Sequence, residues 1–184
     1  TDLTDGLCLH AARLVFKYLP RAVADGADME ARERLHNAAT AAGLGFGNAM
    51  ASLAHAMGHV LGATFHVPHG RAVGLFLPYT IEFGARETPD RFAEVATFVG
   101  CPEATGQAGA RALAARIRAL CREIGSPTSV AELGIVPAAY VAKLDKMVDD
   151  AFNDTQIVTA VRTPSYDDLR RLFIYAYDGR SVDF

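Results

Sequence analysis

The sequence predicts an all-α fold, a helical bundle, on three observations. Alanine, the best helix former, is unusually common. Strand-like alternation of β-branched and aromatic residues with polar ones is nearly absent. Glycine, proline and short polar residues recur where helices would be capped and stopped.

The elements follow in order. Thr4 or Asp5 caps a first helix that reaches about Leu19, with Leu7, Leu14 and Val15 at helical spacing and Pro20 as its stop. After a turn at Asp25-Gly26, Asp28 caps a second helix from Met29 to about Leu44, and Gly43, Gly45 and Gly47 punctuate its end. A third runs from near Asn48 to Gly62. A loop from Ala63 to Pro68 leads to a fourth, His69 to Gly84, kinked at Pro78. Pro89 starts a fifth that ends near Val99 with Gly100 as its stop. Gln107 to Ile124 forms a sixth, ended by Gly125 and Pro127. Val130 to Gly134 is a single turn, and Pro137 starts a seventh helix to about Ala151. Asn153 to Thr163 is read as a loop. Ser165 caps the last helix, which has Asp167 and Asp168 in its first turn and ends near Tyr177 before Gly179.

Length and composition narrow the function. At 184 residues the chain matches one domain, taken as a single unit over 1–184, and is large enough to bury roughly 70% of its unfolded surface. Hydrophobic residues are 51% of the chain and charged residues 21%, which excludes disorder. A net charge of −3 gives no electrostatic footprint for nucleic acid. Three widely spaced cysteines, Cys8, Cys101 and Cys121, form no CxxC and read as reduced buried thiols of a cytoplasmic protein. No apolar run approaches the ~18 residues of a membrane helix, and no leader opens the chain.

The chemistry concentrates in one stretch. His55, His59, His66 and His69 fall within fifteen residues, whereas His10 and His36 sit on ordinary amphipathic helices. His55 and His59 are i and i+4, so they share a helix face. The motif is not that of a zinc protease, because Ala56 stands where HExxH needs its glutamate. His69 follows Pro68 at the start of the next helix and can be aimed at the same point. His66 reads as a loop residue. Imidazole suits Fe, Zn, Cu or Ni. The competing reading is four unrelated, hydrogen-bonded histidines. Catalytic zinc usually has three protein ligands, and iron often adds a carboxylate. Either Glu82 or Asp5 comes round by folding, or the remaining ligands lie outside this chain. Ala54, Gly58 and Gly62 form a small-residue stripe that reads as close helix packing. Gly43 to Gly47 follows a helix rather than a strand, so a Rossmann turn fails on context.

These residues carry a resemblance. His55-Ala-Met-Gly-His59-Val-Leu-Gly-Ala63, Pro68-His-Gly-Arg-Ala72 and Leu77-Pro78, with His55 and His69 fourteen apart, resemble the iron-containing (group III) alcohol dehydrogenase family. Leu3-Thr4-Asp5, Ala31-Arg32-Glu33, Phe46-Gly47-Asn48 and Tyr166-Asp167-Asp168-Leu169 look like its C-terminal helical domain. The resemblance implies that His55 and His69 ligate one divalent metal, Fe2+ or Zn2+. It implies that His59 lies beside the metal and assists proton transfer, and that Phe46 lines the nicotinamide and substrate pocket. It implies hydride transfer between NAD or NADP and an alcohol or aldehyde, with the metal as Lewis acid. The family is often dimeric, so a homodimer is compatible with it.

The departures are specific. The family's Asp and first His, on a DxxxH helix, and its Gly-Gly-Gly-Ser nucleotide turn would precede Thr1 and are not among these 184 residues. The family's Cys-Thr-x-x-Asn-Pro-Arg stretch reads Gln156-Ile-Val-Thr-Ala-Val-Arg162, where only the arginine agrees. The chain alone is therefore expected to be inactive and to hold metal weakly. The alternative function is a stand-alone helical binding or interaction module that keeps the fold without the chemistry.

Overall fold

A computed structural model of the protein describes residues 1–102 and 105–184. Helix α1 spans Asp2–Ala24 and α2 spans Met29–Ala49, joined by a short turn into a helical hairpin. Thr1, one turn earlier than expected, caps α1 in a capping box with Thr4. Pro20 does not stop α1. Its missing N–H costs one bond to the previous turn, but the last turn is held from outside. Arg21 donates to Asp28 at 2.9 Å and to Glu30 at 2.8 Å, and Asp28 also caps α2 by accepting from the Ala31 N–H.

The glycines of α2 do not end it either. Gly45 is buried where α1 and α2 cross, and a methyl there would collide with Cys8 Sγ. The helix ends instead at Met50, whose φ of 67° turns the chain. The third helix, α3, is therefore shorter than expected: Leu53–Phe65, ended by His66 in the left-handed region.

Helix α4 spans His69–Gly84, α5 Pro89–Phe98, α6 Gly106–Glu123, α7 Pro137–Phe152 and α8 Tyr166–Asp178. Short 3-10 turns occupy Ala131–Leu133 and Thr155–Thr159, so part of the segment expected to be an irregular loop is ordered. The all-helical prediction holds among the described residues. None of these helices is long and apolar enough to cross a membrane.

The core has two parts that meet on α4, which packs against α3, α6 and α8. The larger joins α3, α4, α7 and α8 through Met57, Leu61, Phe76, Met147, Leu172 and Phe173, all fully buried. The smaller joins α4, α5 and α6 through Ile81, Ala96, Leu113 and Ile117. Between them Arg118 of α6 forms a two-pronged ion pair with Glu82 of α4, at 2.5 and 3.0 Å, and Glu82 also accepts the Val182 N–H at 2.9 Å. That carboxylate ties the C-terminal tail to the helices.

The small-residue stripe of α3 works as close packing. A methyl on Gly58 would lie 2.9 Å from both the Cα and the N of Val73 on α4. Those are backbone atoms and cannot turn aside. Gly58→Ala is therefore expected to force α3 and α4 apart and destabilise the protein by about 1–3 kcal/mol, the usual range for overpacking. Urea unfolding checks this; an unchanged midpoint would contradict the tight crossing.

Candidate metal centre

The crossing of α3 and α4 determines where the histidines meet. Helix α3 buries Leu53, Ala56, Met57, Val60 and Leu61, which leaves the His55/His59 face turned outward. Pro68 sets the entry to α4, whose first residue is His69. The three rings form a near-equilateral triangle, with centroids 5.7 Å apart for His55–His59, 5.5 Å for His55–His69 and 5.4 Å for His59–His69. The structure thus brings together the three histidines singled out by sequence. His66 lies exposed at the end of α3, and His10 and His36 are exposed on α1 and α2.

The rings open into a cleft of about 390 Å³, lined also by Phe46, Gly47, Met50, Ala51 and Gln156. Phe46 comes from the last turns of α2 and is half exposed at this rim. A second, apolar cleft of about 370 Å³ shares His55 and runs between α3, α4 and α5 to Arg162.

Neither carboxylate considered from sequence reaches the site. Glu82 is buried against Arg118, and Asp5 pairs with Arg91 at 2.7 Å. The carboxylate that does arrive is Asp154, whose Oδ2 lies 2.8 Å from His59 Nδ1. Its other oxygen accepts the Gln156 N–H at 2.8 Å and so caps the 3-10 turn. Thr159 of the same turn donates to the Ala51 carbonyl, which pins the turn beside α3. Asp154 is 95 residues from His59 in sequence, so no local pattern could have flagged it.

Burial, followed by the neighbouring His69 and His59 rings, holds the His55 imidazole below its usual range; Asp154 acts in the opposite sense. That shift favours the neutral imidazole, the form that binds metal. All three ring separations suit imidazoles around one ion, since metal–nitrogen bonds of about 2.0–2.1 Å set bound imidazoles roughly 5 Å apart, centre to centre. His59 has its Nδ1 committed to Asp154. Among the described residues no three His, Cys, Asp or Glu side chains converge closely enough to hold an ion by themselves.

Residues 1–177 match the model of the Fe-containing alcohol dehydrogenase family, C-terminal. The chain belongs to that family. It is 33% identical to the bifunctional aldehyde-alcohol dehydrogenase AdhE of Escherichia coli, over 98% of this chain and 22% of that protein. It is 31% identical to the NADPH-dependent butanol dehydrogenase of Clostridium saccharobutylicum, over all of this chain and 47% of that one. The solved alcohol dehydrogenase from Oenococcus oeni superposes with a TM-score of 0.90 at 31% identity, covering 96% of this chain and 46% of the other. The chain thus spans about half the length of the single-function relatives it matches, and corresponds to their C-terminal helical part.

The Glu82–Arg118 pair is structural rather than part of the metal centre. Arg118→Ala leaves a buried carboxylate without its partner, and an expected loss of about 3–5 kcal/mol follows. Metal content of the full-length protein is expected to stay the same. Unfolding measurements together with elemental analysis test this; lost metal at full stability would reverse the assignment.

Proposed function

We propose that residues 1–184 form the metal-binding helical unit of an NAD(P)-dependent alcohol dehydrogenase, in which His55 and His69 are metal ligands and His59 handles a proton. The observation that carries this reading is the pair of imidazoles at 5.5 Å, flanked by a third whose orientation a carboxylate sets. The donor set suits iron or zinc. An ion bound there supplies a Lewis acid for the oxygen of an alcohol or aldehyde.

The chain's own residues divide the work. His55 offers a lone pair, a form that burial and the neighbouring imidazoles favour. His69 is delivered by the first turn of α4. His59 sits in the cleft wall with Nδ1 held by Asp154, so its other nitrogen is available to accept a proton from a substrate hydroxyl and return it. Phe46 and Met50 provide an apolar rim at which a nicotinamide ring and a small alcohol can pack while hydride passes between them. NAD or NADP would be held mainly by residues outside these 184, among which the described ones include no strand and no nucleotide-binding turn. Cys8 is exposed and Cys101 and Cys121 are half-buried, not buried as expected, but all three are free thiols, which suits a cytoplasmic setting.

In the full-length enzyme, His55→Ala and His69→Ala are expected to abolish metal loading. His59→Ala is expected to keep the metal and slow turnover by about 10²-fold or more, the usual contribution of a positioned acid–base group. Elemental analysis beside steady-state kinetics distinguishes them. If His59→Ala lost metal as completely as His55→Ala, the assigned roles would be wrong.

A further inference from the structure

A histidine that exchanges a proton at one nitrogen needs the other nitrogen fixed. In neutral imidazole one nitrogen carries the hydrogen and the other the lone pair, and the partner of the first decides which is which. His59 has such a partner. A carboxylate can only accept, so the 2.8 Å contact to Asp154 Oδ2 places the hydrogen on Nδ1. The lone pair is then on Nε2, on the side away from Asp154.

Asp154 is itself fixed. Its Oδ1 accepts the Gln156 N–H at 2.8 Å, and its side chain is only 17% exposed. The turn that carries it is anchored to Ala51 through Thr159. The carboxylate therefore bridges a backbone donor on one side and the imidazole on the other, with one oxygen for each. We infer that Asp154 is a positioning residue for the reaction: it selects the Nδ1–H form of His59 and turns the Nε2 lone pair into the cleft shared with His55 and His69. This rests on the reading of His59 as the proton-handling group.

The two-sided geometry makes an unusual demand on the isosteric variant. In Asp154→Asn the side chain keeps one acceptor oxygen and gains an NH2. The Gln156 N–H requires an acceptor, so the oxygen faces the cap and the NH2 faces His59. An NH2 can only donate, so Nδ1 must become the lone-pair atom and the hydrogen moves to Nε2. The fold is preserved and the tautomer is reversed, as happens when the aspartate of a Ser–His–Asp triad is made an asparagine.

Long-range nitrogen–proton correlation NMR on the 15N-labelled, metal-free full-length protein reads this directly, at about pH 8.5, where imidazoles are neutral. The Nδ1–H form of His59 is expected to dominate in the unsubstituted protein, and the Nε2–H form in Asp154→Asn. In the metal-loaded enzyme, Asp154→Asn is expected to lower kcat about 10–100-fold, the usual cost of losing a partner that orients a histidine, with KM for the alcohol changed less than about threefold and metal content unchanged. An Nε2–H majority in the unsubstituted protein overturns the inference, and that measurement needs no variant to fold. An unaltered kcat in a folded Asp154→Asn enzyme with the reversed tautomer overturns it as well. A fully active His59→Ala enzyme would instead sink the proton-transfer reading, while the tautomer result would still report on the Asp154 contact.

Discussion

The absence of a side chain at Gly58 is the constraint on which the site depends. It lets α3 ride against the backbone of Val73 on α4. With one methyl between them the helices would have to separate, and the separation would be felt at the ends that carry function. His55 lies one turn before Gly58 on α3 and His59 directly follows it, and His69 is one turn before Val73 on α4. A triangle of imidazoles with sides between 5.4 and 5.7 Å is thus a consequence of backbone packing. Protein interiors are packed too densely to absorb such a shift elsewhere.

Around that crossing the molecule separates what is buried from what is offered. The inner faces of α3 and α4 are fully covered by α7 and α8 through Met57, Phe76 and Phe173. The outer face carries the histidines, and the end of α2 beside them adds the apolar rim of Phe46 and Met50. Charges follow the same division. Glu82 is neutralised inside by Arg118 and spends its remaining capacity on the tail, whereas Asp154 sits at the cleft edge, where one oxygen is left for His59. A carboxylate's place in sequence says little about which of these two uses it will have.

The sequence made the helices, the histidine cluster and the close-packing stripe legible because each depends on local spacing. Two histidines at i and i+4 share a face on any helix, and Pro68 before His69 restricts the entry to the next. Local signals failed where tertiary contact overrode them. Pro20 reads as a stop, but the Arg21 clamp onto Asp28 and Glu30 carries the helix past it. Gly43, Gly45 and Gly47 read as an ending, but Gly45 is there to admit α1. Asp154 was invisible because its partner lies on a distant helix and its segment has no periodicity. Of the two alternatives for the missing ligands, a carboxylate brought round by folding does not hold for Glu82 or Asp5, because Arg118 and Arg91 reach them first.

On the proposed reading, the α3–α4 crossing delivers His55 and His69 to one metal ion and leaves His59 on Asp154. Anomalous diffraction from crystals of the metal-loaded full-length protein tests it most directly. A single peak is expected about 2.0–2.1 Å from a ring nitrogen of both His55 and His69, with His59 Nδ1 still on Asp154. A peak bonded to His59, or one that leaves His55 or His69 outside bonding distance, would contradict it.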